Sequence, residues 1–126
     1  MNILLTTILP KIDSAVDPRF GRGAYFLIVD TETLEWQAHP NAGGRSMGGA
    51  GIRAAQFAAD QKIEAVLSGD FGPNAYTALE QAGIPMYVYG DCQTAHEAVT
   101  AFNDGGLQQI GGPTREKFKS RGNRFP

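Results

Sequence analysis

Three stretches of the chain place glycine just ahead of a segment with helical character. They are Ser46-Met47-Gly48-Gly49-Ala50-Gly51, Gly69-Asp70-Phe71-Gly72-Pro73-Asn74 and Gly90-Asp91-Cys92-Gln93-Thr94. The first four N–H groups of a helix have no partner within it and carry partial positive charge. Glycine lacks a Cβ, so a ligand can come close to such a backbone. The chemistry this favours is the holding of an anion of modest size. A fourth stretch, Asp17-Pro18-Arg19-Phe20-Gly21-Arg22-Gly23, sets two arginines around an aromatic and two glycines, a composition able to clamp an anion. The predicted site therefore comprises Arg19, Phe20, Gly21, Arg22, Met47, Gly48, Gly49, Gly51, Gly69, Asp70, Gly72 and Cys92. A structural alternative stands beside it: the glycines make tight strand-to-helix turns, and Phe20 plugs the core while the arginines stay in water.

Soft metal ligands are few. Cys92 sits near a predicted helix N-terminus, a position that lowers a thiol pKa, and Met47 could offer a thioether from a glycine-rich loop. These two are the candidate metal ligands. His39 and His96 show no metal-binding spacing. A lone cysteine excludes an internal disulfide and any all-cysteine metal site within one chain. There is no Gly-x-Ser-x-Gly, and no phosphate-binding glycine fingerprint opens the first βα unit. Asp30, Asp70 and Asp91 could be imagined around Mg²⁺, but Asp30 falls in a predicted turn and the other two read as helix-entry residues. No catalytic residue is assigned, and a non-catalytic binding protein is expected.

The charge is unevenly spread. Residues 1–114 hold six Lys/Arg against twelve Asp/Glu, whereas residues 115–126 hold five basic residues and one Glu. An acidic body is a poor partner for a phosphate backbone, so nucleic acid is not expected as a ligand. No apolar run approaches the ~20 residues of a membrane span, and the first residues lack the basic region and cleavage site of a signal peptide. A cytoplasmic location follows as an expectation, with no membrane partner.

These residues must be positioned by elements that the pattern reveals. Strands are predicted at 3–8, 25–29, 34–39, 65–67 and 86–89, from short apolar or β-branched runs bounded by turn residues. Helices are predicted at 50–60, 74–81 and 94–103, with Gly83, Pro85 and Gly105-Gly106 ending the last two. The order β-β-β-α-β-α-β-α implies an α/β fold with a mixed five-stranded sheet, its parallel part covered by helices. One domain is expected over residues 1–110, and residues 111–126 read as a basic, disordered tail.

Taken together, several motifs resemble the dinitrogenase iron–molybdenum cofactor biosynthesis family. They are Asp17-Pro18-Arg19-Phe20-Gly21-Arg22, then Asn41, Gly49-Ala50-Gly51-Ile52-Arg53-Ala54-Ala55-Gln56, Ser68-Gly69-Asp70-Phe71-Gly72-Pro73-Asn74-Ala75 and Leu79-Glu80-Gln81-Ala82-Gly83-Ile84-Pro85. The resemblance covers roughly residues 1–110. It implies a ribonuclease-H-like fold and the binding or carriage, without catalysis, of an iron–sulfur or iron–molybdenum cluster or a molybdenum oxyanion or thioanion. It also implies a role in cofactor assembly of the kind nitrogen fixation needs, with assembly proteins as partners. A monomer, or a weak homodimer through an exposed strand edge, is the expected form. This chain departs from the family where it has Arg19 and Gly48, since members often carry histidine at those places. A protein-interaction or regulatory module of the same fold, without cofactor, is the competing expectation.

Overall fold

The computed structural model describes residues 1–45 and 48–114, with the side chains of Gly44 and Arg45 left aside. Five strands form where expected: β1 (Asn2–Thr7), β2 (Tyr25–Asp30), β3 (Trp36–Pro40), β4 (Ala65–Ser68) and β5 (Met86–Val88). Three helices accompany them: α1 (Ala50–Asp60), α2 (Pro73–Gln81) and α3 (Ala95–Asn103). A sixth strand, β6 (Gln108–Gln109), corrects the five-strand expectation. Its two glutamines are exposed and carry no apolar alternation. It exists because β5 offers a free edge, on which Tyr87 pairs with Gln109 and Val88 with Gln108.

The sheet runs β3-β2-β1-β4-β5-β6. The central β1, β4 and β5 are parallel, and β2, β3 and β6 pair antiparallel on either side. The carboxyl ends of β1, β4 and β5 therefore meet at one edge of the sheet, where ligands of open α/β sheets bind.

Strand alternation sends neighbouring side chains to opposite faces. Leu4, Phe26, Ile28, Val66 and Met86 pack with Ala54, Ala55 and Ala58 of α1 and Ala75 and Leu79 of α2. Ile3, Leu5, Leu27, Val29, Ala65 and Leu67 pack with Ala95, Ala98 and Val99 of α3. The sheet is thus sandwiched between α1 and α2 on one face and α3 on the other, which is why its inner strands are apolar without interruption. The buried stripe of α1 consists of alanines at 50, 54, 55 and 58, while Ile52 is exposed. Small residues on that stripe let the helix lie close to its neighbours, and the candidate site depends on that closeness.

Candidate functional site

The first component is the exit of β1. Thr6 N–H donates to the Tyr89 hydroxyl at 2.9 Å, and that hydroxyl donates back to Thr6 C=O at 2.8 Å. The Thr6 hydroxyl donates to Asp17 C=O and lies 2.8 Å from Ser68 Oγ. All of these residues are buried, so the polar groups at the ends of the three parallel strands satisfy one another. Burial pushes the Tyr89 phenol well above its ordinary range, so it stays neutral and can serve as both donor and acceptor.

The second component is the loop 17–23. The Asp17 carboxylate accepts from Arg19 N–H, Arg19 Nε and Arg19 Nη2 at 3.1, 3.0 and 2.8 Å, and from Ala24 N–H at 3.3 Å. Burial pushes its pKa up, but these hydrogen bonds and the Arg19 charge outweigh burial and hold the group below the usual carboxylate range. The same contacts raise the Arg19 guanidinium. Arg19 forms a backbone bridge to Asp70, and Phe20 N–H donates to Asp70 C=O at 3.3 Å, which straps the loop across the exit of β4. Phe20 is buried, stacked on Phe71 with ring centroids 5.4 Å apart. Asn41 Nδ2 donates to the carbonyls of Gly21 and Gly23 and holds the far side of the loop.

The third component is a pair of helix starts. A Cβ on Gly21 would lie 2.7 Å from the Gly51 nitrogen, and one on Gly51 would lie 2.9 Å from the Ala75 Cβ. Both distances are below any real contact, so glycine is required for the loop, α1 and α2 to approach this closely. Gly49, in the left-handed region at φ 76°, begins α1, and Gly72-Pro73 begins α2. Neither start has a side-chain cap or an acidic residue in its first turn. The start of α3 differs: the Thr94 cap accepts from Glu97 N–H at 3.1 Å, and the Glu97 carboxylate accepts at 2.8 Å from the N–H of Gln93, the residue before the cap.

Between these parts lies a cleft of about 350 Å³, walled by Arg19, Gly21, Arg22, Asp70 and the first residues of α1 and α2. A second depression of about 600 Å³, lined by Tyr25 and Asn41, shares Arg19 and Arg22 with it. The cleft presents backbone N–H groups, two helix positive ends and guanidinium groups, with one carboxylate, Asp70, on its rim. Such a donor set fits an anion held by hydrogen bonds and charge.

Of the residues predicted from sequence, Arg19, Gly21, Arg22, Gly49, Gly51, Asp70 and Gly72 line this cleft. Phe20 belongs to the core, and Gly69 presses on Pro18, where a Cβ would lie 2.7 Å from the proline Cβ. Gly48 is exposed and its carbonyl accepts from Arg53 Nη1 at 2.8 Å. Met47 lies outside the described residues. Cys92 lines a separate depression with Asp91 and Glu97, and its side chain joins the core on the α3 face. Burial pushes its thiol up, and Glu97 and Asp91 add to the shift, which reverses the expected direction. The reason is local: α3 starts at Ala95 with Thr94 as its cap, so Cys92 lies ahead of the first helical N–H groups. Asp30 pairs with Asn2, at the opposite edge of the sheet from Asp70, so the imagined acidic trio is not assembled. Its carboxylate accepts from Glu32 and Thr33 N–H groups in the hairpin turn. Asp17 went unassigned in the sequence, as did Pro73, Asn74 and Ala75. An uncapped Gly-Pro helix start was the available signal for the α2 residues.

Contacts with the body continue past residue 110. Thr114 N–H donates to Phe71 C=O at 2.9 Å, and Phe71 N–H donates to the Thr114 hydroxyl at 2.7 Å. That hydroxyl donates in turn to the Asp70 carboxylate. Residues 115–126, with the basic charge, lie outside the described residues.

Fold and cleft together define a three-layer α/β protein with an open cleft at the carboxyl edge of its parallel strands. The chain belongs to the dinitrogenase iron–molybdenum cofactor family, whose model matches residues 1–105. It is 38% identical to the orange protein of Desulfovibrio gigas, solved in its apo form, with a TM-score of 0.86 over 90% of this chain and 96% of that one. A candidate NifB protein from Thermotoga, solved by NMR, is 28% identical, with a TM-score of 0.76 over 90% and 97% of the two chains. An uncharacterized protein of Methanocaldococcus jannaschii is 28% identical over 110 residues, covering 85% of this chain and 92% of that relative.

Proposed function

We propose that the protein is a non-catalytic carrier or chaperone for an anionic cargo in cofactor assembly, either an iron–sulfur or iron–molybdenum cluster or a molybdenum oxyanion or thioanion. The observation that carries this reading is the convergence of two uncapped helix starts with Arg19 and Arg22 on one cleft. Family membership and the likeness to the Desulfovibrio gigas orange protein support it. The cargo is held by the N–H and guanidinium groups of the cleft, while Cys92 stands in a different depression. The ribonuclease-H-like classification belongs to the same proposal, supported by an antiparallel β1-β2-β3 meander that continues into parallel β4 and β5. So do a cytoplasmic location and cofactor-assembly proteins as partners. Among the described residues no helix is long and apolar enough to cross a membrane.

The test is an anaerobic measurement of thermal stability and equilibrium binding with molybdate, tetrathiomolybdate and a reconstituted iron–sulfur cluster. A ligand at a hundred times its Kd adds about 2.7 kcal/mol of stability, a shift of several degrees for a domain of this size. Arg22→Ala should weaken binding roughly tenfold, as loss of a charge-assisted hydrogen bond does. No shift with any of the three species would remove the carrier assignment.

One observation favours a protein-interaction module instead. β3 is the outer strand of the sheet and leaves Trp36 41% exposed, an edge open to a second copy or another chain. That role predicts no ligand-dependent stabilisation, and a Trp36 fluorescence change on mixing with partner.

A further inference from the structure

The two edges of the sheet are unlike. β6 ends one with two residues, whereas β3 offers five at the other. Proteins blunt a free edge by shortening it, charging it or breaking it with a bulge. β3 uses none of these: its register on β2 is unbroken from Trp36 to Pro40, and it contains no Lys, Arg, Asp or Glu. Proline, another such device, stands only at its last position. Asn41 N–H donates to Ala24 C=O, and Asp30 N–H donates to Glu35 C=O. By antiparallel alternation, Glu35, Gln37, His39 and Asn41 therefore bond towards β2. The N–H and C=O of Trp36 and Ala38, and the C=O of Pro40, point outward, and among the described residues no strand or loop pairs with them. Trp36 and Pro40 are exposed and share one face of the strand, two positions either side of Ala38. Charge is spread about the same centre. Glu32 and Glu35 are exposed at the start of the strand, and Arg22 is exposed at its end, beside Pro40 and Asn41.

We infer that β3 is a homodimerisation edge, on which two copies of the chain pair antiparallel about a two-fold axis through Ala38. The pairing builds on the open edge described above and is independent of cargo binding. In this register Ala38 exchanges hydrogen bonds with its own counterpart, and each Trp36 N–H meets the Pro40 C=O of the other copy. The N–H that Pro40 lacks falls at the outer end of the ladder, where water reaches the carbonyl it leaves over. Each Trp36 ring also lies directly opposite the Pro40 ring of the other copy, a cross-strand aromatic contact. Glu35 of each copy lies opposite Asn41 of the other, which brings its carboxylate towards Arg22. An isologous interface makes every such contact twice, and an unrelated strand has no matching set to offer. Pro40, Asn41 and Arg22 wall the depression of about 600 Å³, so the second copy adds Trp36 and Glu35 there and leaves the α1–α2 cleft open. A ladder this short falls below the ~1,200 Å² of a standard interface, so the dimer is weak and depends on concentration.

The experiment is sedimentation equilibrium of the full chain from about 10 μM to about 1 mM, over which the mean mass should rise from one chain towards two. Trp36→Lys should raise the concentration of half-dimerisation about tenfold or more. A pair of cysteine variants, both carrying Cys92→Ser, reads the register itself. Ala38→Cys places two thiols on the axis, at the ~5.5 Å Cα separation of a hydrogen-bonded pair and within disulfide reach. Gln37→Cys lies opposite His39 of the other copy and has no thiol to meet. With oxidised glutathione as oxidant, the first should cross-link at least about fivefold faster than the second. A mass of one chain throughout, a dimer indifferent to Trp36→Lys, or equal cross-linking of the two cysteine variants would each overturn the inference. None of these readouts involves cargo, so the thermal shifts with the three anionic species test the carrier assignment separately.

Discussion

The buried carboxylate of Asp17 holds the guanidinium of Arg19 in a two-pronged ion pair, with contacts of 3.0 and 2.8 Å, while Arg19 itself is 58% exposed on its side chain. The cleft-lining arginine is therefore fixed from below by a group that is not itself part of the cleft wall. Asp17 also takes backbone N–H groups from Arg19 and Ala24, so it shapes the loop as well as aiming the side chain.

Asp17→Asn should destabilise the protein by about 1–3 kcal/mol at neutral pH, the cost of weakening hydrogen bonds to a buried charged acceptor. The folded pKa of Asp17 is depressed. Its contribution is thus complete above the unfolded value of about 3.9 and is lost as pH falls through the folded value. Denaturant melts of parent and variant should differ at pH 7 and draw together below about pH 4. A constant gap across that range would show that the charge of Asp17 is not what stabilises the loop.

Gly51→Ala should lower stability by about 1–2 kcal/mol, because the added methyl meets the Ala75 methyl at 2.9 Å and the gain in helix propensity does not offset the overlap. The clash is between two side-chain positions, so adding Ala75→Gly should recover most of the loss. Gly21→Ala meets backbone atoms of Gly51 instead, and no trimming of a side chain relieves it. Thermal melts of the single and double variants check both statements.

Cys92→Ser should leave tetrathiomolybdate affinity within about twofold, since the thiol faces a depression apart from the cleft. The thiol is also pushed up by burial and by Glu97 and Asp91, so iodoacetamide should react slowly at pH 7 and faster as pH rises beyond the ordinary thiol range. A large loss of affinity in the serine variant would place Cys92 in the site after all.

Tyr89→Phe should cost about 1–3 kcal/mol, because it strands the buried Thr6 N–H that the hydroxyl now accepts from. Hydrogen exchange of the Thr6 amide should accelerate in the variant, and unchanged protection would contradict the assigned role.

Much of the fold was legible in the chain itself. Runs such as Ile3-Leu4-Leu5 and Ala65-Val66-Leu67 are apolar on both faces, and periodicity reports that directly as buried strand. β6 was not legible, because two exposed glutamines pair only through the edge that β5 presents. Within the Asp17–Gly23 loop, residue types announced anion chemistry, yet the parts taken by Phe20 and Asp17 could not be read. An aromatic between arginines serves equally as a wall or a plug until its neighbours are known. Here Phe71 and Phe26 lie across the fold and decide it.

By itself the sequence determined the α/β class, the positions of three helices and five strands, and the glycine-bearing helix starts, since these follow from local propensity and period. The tertiary structure alone decided which starts share a cleft. α1 and α2 pack on one face of the sheet and α3 on the other, so Gly49 and Gly72 meet over Gly21 while Cys92 is carried to a separate depression. Convergence of that kind depends on contacts between residues far apart in the chain, which no local pattern encodes.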